Sequence, residues 1–162
     1  MTAVLLVLLV LSNTASQASA PRPVRVAGPG YEGAIVTAEE LLATDSRHLT
    51  KPASLWTPTE ADIREAEERL AHYLKSPEAP AFLRDTHIQS ELTRYYRQYW
   101  GRVVRGQRQV LMQFFHAESS AGQRGLWHQG PLVVMGGGYQ FFRVRYHVQT
   151  KRFSDLQMNA PE

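Results

Sequence analysis

The amino-acid sequence predicts an α+β fold: one long N-terminal helix packed on a four- to five-stranded antiparallel sheet arranged as a meander. Three observations predict it. Apolar residues recur at helical spacing after the cap signal Trp56-Thr57-Pro58-Thr59-Glu60, aromatic and β-branched residues crowd 94–116, and a two-residue alternation runs through 139–149.

The chain has 162 residues, and its start reads as an address label. Residues 3–11, AVLLVLLVL, are an unbroken apolar run, followed by polar residues 12–17 and by Ala18-Ser19-Ala20. That is the h-region and A-x-A pattern of a secretory signal peptide, with Pro21 just past the expected cut. The run is too short to span a hydrocarbon core, which takes about 20 residues. The expectation is therefore a secreted or periplasmic protein with a signal peptide at 1–20 and no membrane span after cleavage. Residues 21–55 are rich in Pro, Gly, Ala and Thr, with a short helical hint at 38–43, and read as a loose arm. The α+β domain then occupies 56–162, long enough for one hydrophobic core.

The elements follow in order. Thr57 fits an N-cap, Pro58 the first helical position and Glu60 the third, closing a capping box. Ile63, Ala66, Leu70 and Leu74 form the apolar stripe, so a helix is expected over 58–75, stopping before Pro77 and Pro80. A shorter helical segment follows over 81–93. Residues 94–104 and 108–116 then form a hairpin about Arg105-Gly106. With a two-residue loop, Val103 faces Arg108, Gly101 faces Val110, Tyr99 faces Met112 and Arg97 faces Phe114. Tyr99, Val110, Met112 and Phe114 make a core face interrupted by Arg97. The opposite face carries Tyr96, Trp100, Leu111 and Phe115 among Gln98 and Gln113, apolar for a solvated surface.

Residues 117–131 show no periodicity. A strand at 132–135 leads into Gly136-Gly137-Gly138, and 139–149 forms the next strand. Three glycines can cradle a phosphate, but a phosphate loop needs a Lys-Ser or Lys-Thr and a following helix. A strand follows here instead, so the glycines read as a hairpin turn. For the last strand, 153–159, a three-residue turn at 150–152 pairs Tyr146 with Leu156 and Val144 with Met158, and sets His147 opposite Asp155.

The order Tyr96-Arg97-Gln98-Tyr99-x-Gly101, then Gly136-Gly137-Gly138-x-x-Phe141-Phe142, then Tyr146 and Asp155-Leu156-x-x-Asn159, resembles small exported bacterial proteins of uncharacterised function. The resemblance covers about 56–160, lies mostly in strand and turn positions, and implies no activity. One helix followed by an antiparallel meander is also similar in architecture to a cystatin-type roll. The cystatin Q-x-V-x-G motif is absent, because 107–113 lacks the required glycine.

Several chemistries are excluded or weakly indicated. There is no cysteine, which removes thiol catalysis and Cys-ligated zinc. Lys and Arg number 18 against 15 Asp and Glu, a formal +3 that is too small to indicate nucleic acid. Six histidines show neither H-E-x-x-H nor tight H-x-H spacing, and no metal or cofactor is expected. His116-Ala117-Glu118 matches half of a zinc-deaminase signature whose other half needs cysteine. The function expected is a non-enzymatic, exported accessory or binding protein, its partner an envelope or extracellular protein or glycan. The candidate binding surface is Tyr96, Trp100, Leu111 and Phe115 on the sheet face, with the basic stripe Arg143 and Arg145. The alternative is a small secreted hydrolase or nuclease using His116 and Glu118 as acid and base.

Overall fold

Val24 and Val26 alternate with Arg25 and Ala27, and Pro29-Gly30 follows as turn chemistry. In the computed structural model, which describes residues 22–44 and 55–161, this stretch forms strands β1 (Val24–Gly28) and β2 (Tyr31–Ile35), paired antiparallel. Gly30 makes the turn at φ 78°. The loose arm expected over 21–55 is thus corrected wherever it is described: its Pro and Gly content belongs to a hairpin. The signal peptide expected at 1–20 lies outside the described residues.

Thr37 and Glu40 close a capping box that starts helix α1 (Ala38–Ala43), and β3 (Leu55–Trp56) lies on the far side of residues 45–54. Helix α2 (Glu60–Lys75) begins one cap later than the sequence suggested. Thr59 is the N-cap and Asp62 completes the box, while the Thr57 hydroxyl accepts from the Ala38 N–H at 3.0 Å. The first Thr of Thr-Pro-Thr ties α2 to α1, and the second starts the helix. Two 3₁₀ turns, Ala81–Asp85 and Leu92–Arg94, replace the short helix expected over 81–93.

Strands β4 (Tyr95–Val104) and β5 (Gln107–His116) pair in the expected register about Arg105 and Gly106, both at positive φ. Short helix α3 (Ser120–Gln123) and the irregular stretch 124–140 lead to β6 (Phe141–His147) and β7 (Arg152–Met158). The sheet order is β1-β2-β4-β5-β6-β7, with β3 also on β4 and with β2 parallel to β4. This overturns the expected fold class. Among the described residues the chain is mostly sheet: seven strands in one mixed sheet, with α2 the one helix longer than six residues. Nor is α2 N-terminal, since β1, β2, α1 and β3 precede it. The early hairpin, taken for an arm, turns a short meander into a wide sheet.

Two turn assignments are also corrected. The three glycines join no strand pair, because 131–137 carry no regular secondary structure. Gly136, Gly137 and Gly138 have φ of 75°, 81° and 52°, a backbone open mainly to glycine, and a Cβ on Gly137 would sit 2.5 Å from the Phe141 ring. At the other turn, His147 pairs with Arg152 and Tyr146 with Phe153, so neither Tyr146–Leu156 nor His147–Asp155 forms. An irregularity between Arg143 and Arg145, with Asp155 at φ 52°, restores the alternation and buries Leu156. His147 Nε2 meets Ser154 Oγ at 2.7 Å, and Asp155 pairs with Arg145 at 2.6 Å.

The main core lies between α2 and the inner sheet face: Ile63, Ala66, Leu70 and Leu74 against Tyr99, Val110, Met112, Phe114, Phe142, Val144 and Tyr146. Within it sits one ion pair. The side chains of Arg97 and Glu67 are 1% and 6% exposed, and their Nε and Oε1 are 3.4 Å apart. Tyr99 donates to the same Oε1 at 2.8 Å, and the Arg97 guanidinium donates to the carbonyls of Tyr95 and Gly30 and lies over the Phe114 ring. Arg97, the residue that interrupts the apolar face in the sequence, thereby ties α2, β4 and the β1–β2 turn together. Burial raises the Glu67 carboxyl above its ordinary range, partly offset by Arg97.

Removing one partner leaves the other charge buried and alone. Arg97→Ala is expected to cost about 3–5 kcal/mol in a urea melt, and pairing Arg97→Met with Glu67→Leu should recover most of that. A double variant as unstable as the single one would mean that the pair does not carry the cost.

Candidate functional site

The register of β4, β5 and β6 sets the outer face in rows: Tyr96-Phe115-Phe141, Gln98-Gln113-Arg143, Trp100-Leu111-Arg145 and Arg102-Gln109-His147. The candidate surface residues Tyr96, Trp100, Leu111 and Phe115 sit here, but most of that surface is covered. Trp100 is 2% exposed and packs with Val36 and Leu41, with Leu55 and Leu111 against them. Phe115 is 0% exposed, in a cluster with Ala34, Ala121, Trp127 and Phe141. Tyr96 stacks on Trp127 at 4.8 Å. The reading of these four residues as a bare binding face is corrected: Trp100 and Phe115 are core, and Tyr96 and Leu111 pack beside them. α1 covers one end, and the aperiodic 117–135 stretch covers the other.

One buried side chain holds that cover down. Gln98 Nε2 donates to the carbonyls of Trp127 (2.7 Å) and Gly130 (2.6 Å), and its Oε1 accepts from the Leu132 N–H (3.1 Å). Farther along, Asn159 Nδ2 donates to the carbonyls of Val134 and Gly136, each at 2.9 Å. Both amides serve backbone that would otherwise be buried without partners.

The cover stops at β5. Beyond it the outer face stays open, with Arg143 exposed and Arg145 half-buried. Arg143 donates twice to Gln157 Oε1. Arg102, one row from Arg145, has a buried Nε without a hydrogen-bond partner. Its pKa is lowered, first by burial and then by Arg145. The rim of this open half is apolar: Val133 is 60% exposed and Met135 88%. The cleft beneath the rim, between Val133, Leu111, Gln113 and Arg143, holds about 40 Å³. That is room for a water or two, so a partner must engage the surface rather than enter it.

His116 and Glu118 lie two residues apart but serve different neighbours. His116 is buried against the Tyr95 ring; its Nδ1 accepts from the Glu118 N–H at 3.3 Å, and its Nε2 lies 3.4 Å from Glu91 Oε2. The Glu118 carboxylate is exposed and pairs with Arg94. An acid–base pair needs both groups facing one substrate, which this arrangement does not provide. Among the described residues no group of three or more His, Asp or Glu is placed to hold a metal ion. No helix among them is long and apolar enough to cross a membrane.

A second cleft, of about 510 Å³, opens between α2 and the β6–β7 turn, lined by Arg69, His72, Tyr73, Glu78, Lys151 and Phe153 among others. Its volume suits a small ligand. However, Arg69 and Lys151 both lie against Glu65, at 3.6 and 2.5 Å, which leaves little unanswered charge. Sequence reasoning found Arg143 and Arg145 but missed Arg102, Val133 and Met135. The apolar alternation in Leu132-Val133-Val134-Met135 was the available signal for the last two. No protein-family model, curated protein or solved structure matches this chain.

Trp100→Ala is expected to lower stability by about 3–5 kcal/mol in a denaturant melt, as truncation of a buried aromatic. A change below about 0.5 kcal/mol would return Trp100 to the surface.

Proposed function

We propose that the protein is an exported, non-enzymatic binding or accessory protein that acts through the open half of its outer sheet face. Export rests on the apolar run at 3–11 and on Ala18-Ser19-Ala20. The observation that carries the binding reading is the arginine cluster on the open rows. Arg102, Arg143 and Arg145 crowd one surface, Asp155 answers one of them, and the Arg102 Nε has no partner. An anionic group on an envelope or extracellular partner would relieve that crowding, and the apolar rim at Val133 and Met135 adds area from which water is expelled. The hydrolase alternative draws no support from the geometry, because His116 is buried and Glu118 faces Arg94.

Two outcomes test this reading. Intact-mass analysis of secreted material should show a mature chain beginning at Pro21, and full-length protein recovered from the cytoplasm would contradict export. In a pull-down from envelope extract, Arg143→Glu with Arg145→Glu should abolish capture. The same pair should shift a thermal melt by less than about 1 kcal/mol, because both ion contacts are exposed. Undiminished capture by the double variant would remove the binding face from the account.

A further inference from the structure

Residues 131–137 belong to no strand, yet burial and bonding both follow a period of two along them. Leu132 and Val134 pack against the Phe115 cluster, whereas Val133 and Met135 stand out into solvent. The backbone bonds alternate in the same way. Leu132 donates its N–H to Gln98, and the carbonyls of Val134 and Gly136 accept from Asn159. Every one of these bonds belongs to an even-numbered residue. In extended backbone the N–H and C=O of one residue point to one side and those of the next to the other. The backbone groups of Val133 and Met135 therefore face away from Gln98 and Asn159, and among the described residues they bond to nothing. Two side-chain amides take the place of a neighbouring strand on one side of this segment, and its other side is an unpaired edge.

We infer that 131–137 is a docking strand, alongside which an extended peptide of a partner protein adds by hydrogen-bonding to Val133 and Met135. This rests on the binding reading above and selects a protein over a glycan, because only a peptide offers donors and acceptors at strand spacing. The partner strand is apolar at alternate positions, to cover Val133 and Met135, and acidic at one end. The acidic end follows from Arg143, which lines the same narrow cleft as Val133 and pairs with no carboxylate among the described residues. A second copy of this chain fits less well, because it would bring a second Arg143 to the first in a chain of formal charge +3.

The test uses the full mature chain and a synthetic peptide alternating valine with threonine and ending in two glutamates. Amide exchange at Val133 and Met135 should slow when the peptide is added, while Leu132, already bonded inside, should change little. Methylating alternate peptide nitrogens, or replacing Met135 with proline (Met135→Pro), should weaken binding about tenfold or more by removing ladder hydrogen bonds. Because the Met135 N–H bonds nothing internally, the variant should melt like the parent; should it fail to fold, the methylated peptide on the parent protein still decides. Exchange at Val133 and Met135 unaffected by the peptide at its highest soluble concentration would overturn the inference, as would equal binding of the methylated peptide. Equal binding of a lysine-ended peptide would overturn the acidic partner, and protection that rises with protein concentration alone would make a second copy the occupant. If strand addition fails while capture still depends on Arg143 and Arg145, the binding reading stands and only the docking strand falls. If capture is also indifferent to the arginines, both fall.

Discussion

A single buried amide sets the limits of this molecule's outer face. Gln98 stands on β4, which lies between β2 and β5 and is covered on both sides. A polar side chain there is tolerated only if its hydrogen-bonding groups are met. Three of them are, all by backbone of the 127–132 stretch. The exchange is mutual, because the cover buries two carbonyls and an N–H that no ladder serves. Without Gln98 that backbone would have to rise to water, and Trp127 would leave Tyr96.

The arrangement separates what is core from what is available. Inward from Gln98, the aromatic residues that look like a binding face are sealed by Leu41, Trp127, Leu132 and Val134. Outward, the same rows continue as Gln113, Arg143 and Arg145, which no element covers. The two opposite faces of β4 follow one rule. Arg97 on the inner side and Gln98 on the outer side are both polar, both buried and both satisfied from distant segments, so each fixes where a separate part of the chain must pack. Such residues stabilise little on balance but penalise every alternative packing.

Legibility in the sequence followed the reach of local rules. The β4–β5 register was readable because a two-residue turn and an alternating pattern both specify it. The start of α2 was misplaced by two residues because Thr57 and Thr59 offer equal caps, and only the tertiary bond from Ala38 to Thr57 separates them. The β6–β7 register was missed because an irregularity at Asp155 breaks the two-residue period on which the argument depended. Strands β1 and β2 were lost to composition: Pro29, Gly28 and Gly30 looked like an unstructured arm, and the alternation of Val24 and Val26 is too short to counter that. At the candidate site, Arg143 and Arg145 were legible from alternation alone. The burial of Trp100 was not, because it depends on Val36 and Leu41, which reach Trp100 only through the parallel pairing of β2 with β4.

The most direct test of this account is hydrogen exchange on Gln98→Leu, which keeps the bulk of the side chain and removes its hydrogen bonds. The amide of Leu132 should lose its protection and Trp127 emission should shift to the red as the cover lifts, while the amides of the β4–β5 ladder stay protected. Unchanged exchange at Leu132 with an unshifted Trp127 would contradict the claim that this amide holds the cover and so divides the outer face into core and site.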